Sequence, residues 1–229
     1  MKDLTLVIPA KNEWLSLPKV LEELKKYKCQ ILIVLHKTDI RTIKSVKKYN
    51  HKIIKQHHNG YGDAIIEGVN SVQTKYFCIF NADGSFNPND LSIMIKKIKL
   101  GSDFVFATRY LKKGGSDDDT IITFIGNKIF TLIGKIFFKI RISDILFTFI
   151  AGNTIKFQKL KLSYNDFRLC VEIPIKIKWN NFKYTSIPSF ERSRIAGVKN
   201  VNEIKDGFLI LCALFKLYFI NVKKYLEKQ

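Results

Sequence analysis

Residues 76–88 read Tyr76-Phe77-Cys78-Ile79-Phe80-Asn81-Ala82-Asp83-Gly84-Ser85-Phe86-Asn87-Pro88. The first five form an apolar run of strand length, and Asp83-Gly84 followed by Pro88 ends it in a turn. Asn81, Asp83 and Ser85 alternate, so their oxygens share one side of the extended segment leaving the strand. Oxygen ligands placed this way suit a hard divalent cation carrying a diphosphate. Read alone, the stretch is also an Asp-Gly turn closed by proline.

Working outward, comparable runs rich in branched residues occupy 4–8, 31–35 and 104–107, with a weaker one at 52–55. Helical spacing separates them: Leu15-Leu17-Val20-Leu21-Leu24, Ile40-Ile43-Val46-Tyr49, Ala64-Ile65-Gly68-Val69 and Leu91-Ile95-Ile98. Strand and helix in alternation predict an α/β fold with a mostly parallel sheet covered on both faces. Ligands of such sheets bind beyond the carboxyl ends of the strands. The residues directly after each run are therefore the candidates.

The chain has 229 residues, 46% of them hydrophobic, which suits a packed domain and excludes a disordered or fibrous chain. Lys and Arg number 39 against 20 Asp and Glu, a net charge of +19 that favours polyanions or anionic lipid, and is also what a solvated lysine-rich surface shows. The basic residues form no nucleic-acid recognition motif, so no nucleic-acid partner is expected. Cys29, Cys78, Cys170 and Cys212 are widely spaced in apolar runs and read as core residues of a reducing compartment. Met1-Lys2-Asp3 leads straight into the first run without a signal pattern, and a cytoplasmic location is expected.

After Arg109 the texture changes. A polar loop with Gly114-Gly115 and Asp117-Asp118-Asp119 reads as solvated at a helix start. Residues 121–140 are dominated by Ile and Phe, with Asn127, Thr131, Lys135 and Lys139 confined to one stripe. Near the end, Glu203 and Asp206 open a helix and Lys223, Lys224 and Lys228 close it, as the helix dipole favours. Its eight consecutive apolar residues from Phe208 to Phe215 call for burial in protein or lipid. Both helices are either ordinary core helices or, as their lysines on a basic protein favour, lie on an anionic membrane surface. The expected layout is a catalytic domain over 1–202, with 121–140 as an interface helix, and an apolar helix over 203–229 as anchor.

Three further segments carry candidates. Val7-Ile8-Pro9-Ala10-Lys11-Asn12-Glu13 places an amide and a carboxylate past a strand end, where they bond a nucleoside or cap a helix at Asn12. In His57-His58-Asn59-Gly60-Tyr61-Gly62-Asp63-Ala64 the glycines let backbone approach a ligand at a helix start. Ala107-Thr108-Arg109-Tyr110 follows the run at 104–107.

Together, and in this order, these segments resemble the family 2 glycosyltransferases of the GT-A fold, in particular the dolichyl-phosphate mannose and polyprenyl-phosphate sugar synthases. Further matches are Asn127, Asp144 and Gly152, then Cys170-Val171-Glu172-Ile173-Pro174, and residues 187–197 with Arg194 and Gly197. Three departures stand out. Leu35-His36, with Asp39 beyond, replaces paired aspartates; the metal motif opens with Asn81; and Lys199 falls one place early after Arg194.

The resemblance implies inverting transfer of a sugar from a nucleoside-diphosphate sugar to a polyprenyl phosphate, by a peripheral enzyme on the inner membrane face. It implies Mg²⁺ or Mn²⁺ at Asn81, Asp83 and Ser85, and donor contacts from Pro9, Ala10, Lys11, Glu13, Gly60, Gly62, Asp63, Asn81, Ala82 and Lys199. Asp83, Arg109 and Arg194 would carry catalysis, with Arg109 and Lys128 on the acceptor phosphate. A hydroxyl acceptor would need a general base, for which Asp144 and Glu172 are the candidates, beside their plain readings as a cap and a surface-paired carboxylate, and Asp117-Asp118-Asp119 is either a solvated loop or a segment that closes over the metal. The remaining alternative is a weakly active nucleotide-sugar-binding protein.

Overall fold

The computed structural model describes residues 1–197 and 201–226; Lys199 and Lys228 lie outside them. The strands are β1 (Leu4–Ala10), β2 (Gln30–Leu35), β3 (Lys52–Lys55), β4 (Tyr76–Ile79), β5 (Phe104–Thr108), β6 (Gly115–Ser116), β7 (Ile150–Asn153), β8 (Tyr184–Pro188) and β9 (Phe190–Glu191). The helices are α1 (Leu17–Leu24), α2 (Ile40–Val46), α3 (Tyr61–Asn70), α4 (Asp90–Lys99), α5 (Ile121–Phe138), α6 (Thr154–Gln158), α7 (Leu169–Trp179) and α8 (Glu203–Leu226).

β1 is buried at every position, as only a strand covered on both faces must be. The sheet order is β3-β2-β1-β4-β7-β5-β8, and β6 pairs with β9 separately. Alternation along each strand divides its side chains between two cores. Val7, Val34, Phe77, Ile79 and Phe104 face one together with α3, α7 and α8. Leu6, Ile8, Ile33, Cys78 and Phe80 face the other with α1 and α4.

The strands expected from apolar runs are present, and every pair among them is parallel. β6, β7, β8 and β9 have no such run behind them. β7 enters antiparallel between β4 and β5, and its four residues carry Gly152 in place of a branched run. A Cβ on Gly152 would stand 2.4 Å from the Phe104 ring, so the ring fills the space that glycine leaves. Asn12 does not cap α1: it has φ +62° and the N-cap is Ser16. All four cysteines are free; Cys78 and Cys170 are buried as expected, whereas Cys212 is exposed.

α5 and α8 lie side by side and parallel. Thr120 meets Glu203 at their starts, and the Phe137 and Tyr218 rings meet at 5.3 Å further along. α8 buries Ile210, Ala213, Leu214 and Leu217 in the common core. α5 is long and apolar enough by composition to cross a membrane, with mean hydropathy 1.6. Its polar stripe instead binds it sideways to the domain: Asn127 donates to Asp144, and Ile145 N donates to Thr131 Oγ1 at 3.1 Å. Outward, Ile122, Ile129, Leu132, Ile136, Phe208, Phe215 and Phe219 remain exposed.

Gly152→Ala forces a methyl against Phe104, and overpacking of this kind costs about 1–3 kcal/mol. Urea denaturation should show that loss; an unchanged midpoint would contradict the packing.

Candidate active site

The carboxyl ends of β1, β4 and β5 open into one cavity of about 450 Å³, within the range of small-molecule sites. The end of β1 supplies Pro9 and Ala10, followed by Lys11 and Glu13; the end of β4 supplies Asn81, Ala82, Asp83 and Ser85; and Arg109 follows β5. Gly60 and Tyr61 come from the start of α3, Arg194 from the segment after β9, and Thr123, Asn127, Glu203 and Ile210 from α5 and α8. Most of the residues singled out from sequence thus share one wall.

At its centre, Asp83 Oδ1 accepts from Ser85 N at 2.9 Å and Ser85 Oγ at 2.7 Å. Asp83 Oδ2 faces the Arg194 guanidinium at 3.5 Å. Asn81 is engaged by neighbours: its amide donates to Ser85 Oγ at 3.3 Å, and its oxygen accepts from the Tyr61 hydroxyl at 3.4 Å. Burial pushes the Tyr61 phenol well above its ordinary value, so it stays a neutral donor. Asn81 and Ser85 therefore orient Asp83. Burial likewise raises the Glu13 carboxyl, outweighing the hydrogen bond from Ser16, and Asp83 adds to the rise.

The Gly60 loop differs from its sequence reading. A Cβ on Gly60, at φ +120°, would stand 2.1 Å from Asn165 O, and one on Gly62 would stand 2.3 Å from Tyr164 O. The close approach these glycines permit is to backbone 164–165, and Asp63 N donates to Asn165 O at 3.0 Å. Asp63 is buried and accepts from His58 N at 3.2 Å and Gln56 at 3.3 Å, fastening the loop without lining the cavity.

Arg109 is the most heavily paired cation. It donates to Asp144 from Nε at 2.8 Å and from a terminal nitrogen at 3.0 Å, and to Glu191 at 2.9 Å. Burial alone would lower its pKa, but the Asp144 bonds and both carboxylate charges reverse that and hold it above the ordinary value. Lys128 is exposed and lies outside the cavity, its ammonium 4.5 Å from the Tyr110 ring centre. Asp118 and Asp119 line the cavity, in contrast to the solvated loop expected for them. Neither expected general base is placed for catalysis. Asp144 is spent on Arg109 and Asn127. Glu172 is fully buried, accepting from Ser163 N at 3.0 Å and pairing with Lys176 at 2.7 Å.

At the end of β2, the His36 ring bonds Thr38 at 2.7 Å and Asn59 at 2.5 Å. Asp39 accepts from Asn12 N at 2.6 Å and caps α2 through Thr42 N at 3.2 Å. Sequence reasoning missed Tyr61, Phe147, Thr148 and Phe167 as cavity residues. They converge from segments up to about a hundred residues apart and leave no local pattern.

In this basic chain the cavity is acidic: Glu13, Asp83, Asp118, Asp119, Glu191 and Glu203 line it against Lys11, Arg109 and Arg194. Among the described residues no three His, Cys, Asp or Glu side chains cluster to cage a metal. Mg²⁺-type sites need only one or two carboxylates when substrate phosphates complete the shell. Asp83, which already faces a cation, fits that pattern.

The glycosyl transferase family 2 model matches residues 5–161, and the chain belongs to that family. The dolichol-phosphate mannosyltransferase of Pyrococcus furiosus is 26% identical over 195 residues, 80% of this chain and 55% of the relative. An uncharacterized glycosyltransferase of Mycobacterium tuberculosis is 29% identical over 105 residues, 46% of this chain and 48% of the relative. The chain spans about half the length of the curated relatives it matches. Among solved structures, glucosyl-3-phosphoglycerate synthase of M. tuberculosis with Mn²⁺, UDP and glucosyl-3-phosphoglycerate aligns at TM-score 0.70 and 11% identity, covering 93% of this chain and 79% of that one. Mannosyl-3-phosphoglycerate synthase of Rubrobacter xylanophilus aligns at TM-score 0.70 and 14% identity, covering 98% and 75%. These likenesses establish the shared fold.

Arg109→Ala strands Asp144 and Glu191 without a counter-ion, which costs about 3–5 kcal/mol. Chemical denaturation checks this; native stability in the variant would show that Arg109 is not the structural tie its contacts describe.

Proposed function

We propose that the protein transfers a sugar from a nucleoside-diphosphate sugar to a polyprenyl phosphate at the cytoplasmic face of a membrane. One observation carries the reading: Asp83 and Arg194 face each other in a cavity whose rim is built by α5 and α8, whose outer faces are apolar. The P. furiosus relative bears a lipid-phosphate acceptor in its name, and the M. tuberculosis structure holds Mn²⁺ with UDP.

In this reading Pro9, Ala10, Lys11, Glu13 and Gly60 surround the nucleotide. Asp83, oriented by Asn81 and Ser85, would hold Mg²⁺ or Mn²⁺, which neutralises charge growing on the departing diphosphate. Arg194 adds charge-assisted hydrogen bonds to the same phosphates. An acceptor phosphate oxygen forms the new bond to the anomeric carbon as its bond to the diphosphate breaks, inverting the centre. A phosphate is already anionic and needs no general base. That agrees with the commitment of Asp144 and Glu172 elsewhere. The N–H groups left to Arg109 are the proposed acceptor contacts within the cavity, and the outer faces of α5 and α8 rest in the bilayer interface.

The test supplies labelled UDP- and GDP-sugars with polyprenyl phosphate, 3-phosphoglycerate and Mn²⁺. Label should enter the organic phase, and Asp83→Ala should lower the rate by about 10²-fold or more while the fold persists. Product from 3-phosphoglycerate alone would overturn the lipid acceptor; no product from any donor would leave a binding protein. Deleting α8 is a poor membrane test, because its inner residues belong to the core. Phe215→Glu with Phe219→Glu charges only the outer face and should release the protein from anionic vesicles; unchanged co-sedimentation would refute the interface assignment.

A further inference from the structure

Arg109 and Arg194 line the same cavity but are held differently. Arg109 makes directed hydrogen bonds of 2.8–3.0 Å to two carboxylates. Arg194 lies 3.5 Å from Asp83 and 3.6 Å from Asp118, beyond good hydrogen-bond length, and its buried Nε has no partner among the described residues. It is held by charge.

The backbone carrying Arg194 is fixed. Ile195 N donates to Asp83 O at 2.8 Å and Arg192 N donates to Ser85 O at 2.8 Å, lacing the segment to the turn that presents Asp83. Arg192 grips Glu23 at 2.8 and 3.0 Å and Phe86 O at 2.7 Å. Gly84, at φ +85°, leaves the space that Ile195 fills, 2.5 Å from where a Cβ would stand. The side chain of Arg194 is thus the part with freedom to change partners.

We propose that in the free protein the Arg194 guanidinium stands in for the donor's cation, so that a divalent ion and a nucleoside diphosphate bind together while Arg194 exchanges a carboxylate for a phosphate. This rests on the donor reading given above. A divalent ion arriving alone meets a positive charge opposite Asp83. A diphosphate arriving alone meets a wall with more carboxylates than cations. Together each removes the obstacle to the other, and the coupling is reciprocal.

The experiment titrates the full chain with Mn²⁺ alone, following the free-ion signal by electron paramagnetic resonance, then repeats it with UDP or GDP. Wild type should bind Mn²⁺ weakly alone and about tenfold or more tightly with a diphosphate, after correction for the Mn²⁺–nucleotide complex. Arg194→Gln should bind Mn²⁺ alone about tenfold or more tightly than wild type, and adding Asp83→Asn should abolish the gain. Arg194→Lys, which keeps the charge, should still exclude the ion, and melting curves confirm folded variants. Unchanged or weaker Mn²⁺ binding by Arg194→Gln overturns the proposal. A diphosphate that binds with no coupling to Mn²⁺ overturns it while sparing the donor reading. Failure of both UDP and GDP to bind in Mn²⁺ overturns that reading and the exchange with it.

Discussion

One buried guanidinium ties the active face together. Arg109, at the end of β5, reaches Asp144 before β7 and Glu191 in β9, and Asp144 in turn holds Asn127 of α5. Glu191 also accepts from Ser116 at 2.5 Å, and Asp119 accepts from Tyr110 at 2.5 Å. A strand, the helix α5 and two loops therefore share a single charge centre. A buried ion network is worth its desolvation only where hydrogen bonds satisfy its charges, and both Asp144 oxygens here accept two donors each. It fixes where the 111–119 loop and α5 stand relative to Asp83.

The chain separates its charges by location. Lysines cover the outside and produce the net charge of +19, while carboxylates collect in the cavity. Among the charged side chains that line it, carboxylates outnumber the cations. The apolar faces of α5 and α8 lie between these two regimes, beside the cavity rim.

Much of the architecture was legible from residue pattern. Branched apolar runs marked β1, β2, β4 and β5, and helical spacing marked the helices between them, because each signal arises within a few neighbouring residues. The α/β fold and the family follow from those runs and the motifs after them. β7 escaped because a four-residue strand containing Gly152 has no distinguishing pattern; its place depends on Phe104 filling the gap beside it. The glycines at 60 and 62 were read as letting backbone approach a ligand, whereas in the fold backbone 164–165, about a hundred residues away, is what lies against them.

The amino-acid sequence by itself determined which residues end the strands and hence which side chains reach the cavity wall: Pro9, Glu13, Asn81, Asp83 and Arg109. Tertiary structure alone decided their partners. It turned Asn81 toward Ser85 and Tyr61, committed Asp144 and Glu172 to structural bonds, and set Arg194 opposite Asp83. The reason is range. Strand termini follow from local backbone chemistry, whereas the charge and hydrogen-bond partners of a side chain depend on segments that only the packed core brings within a few ångströms.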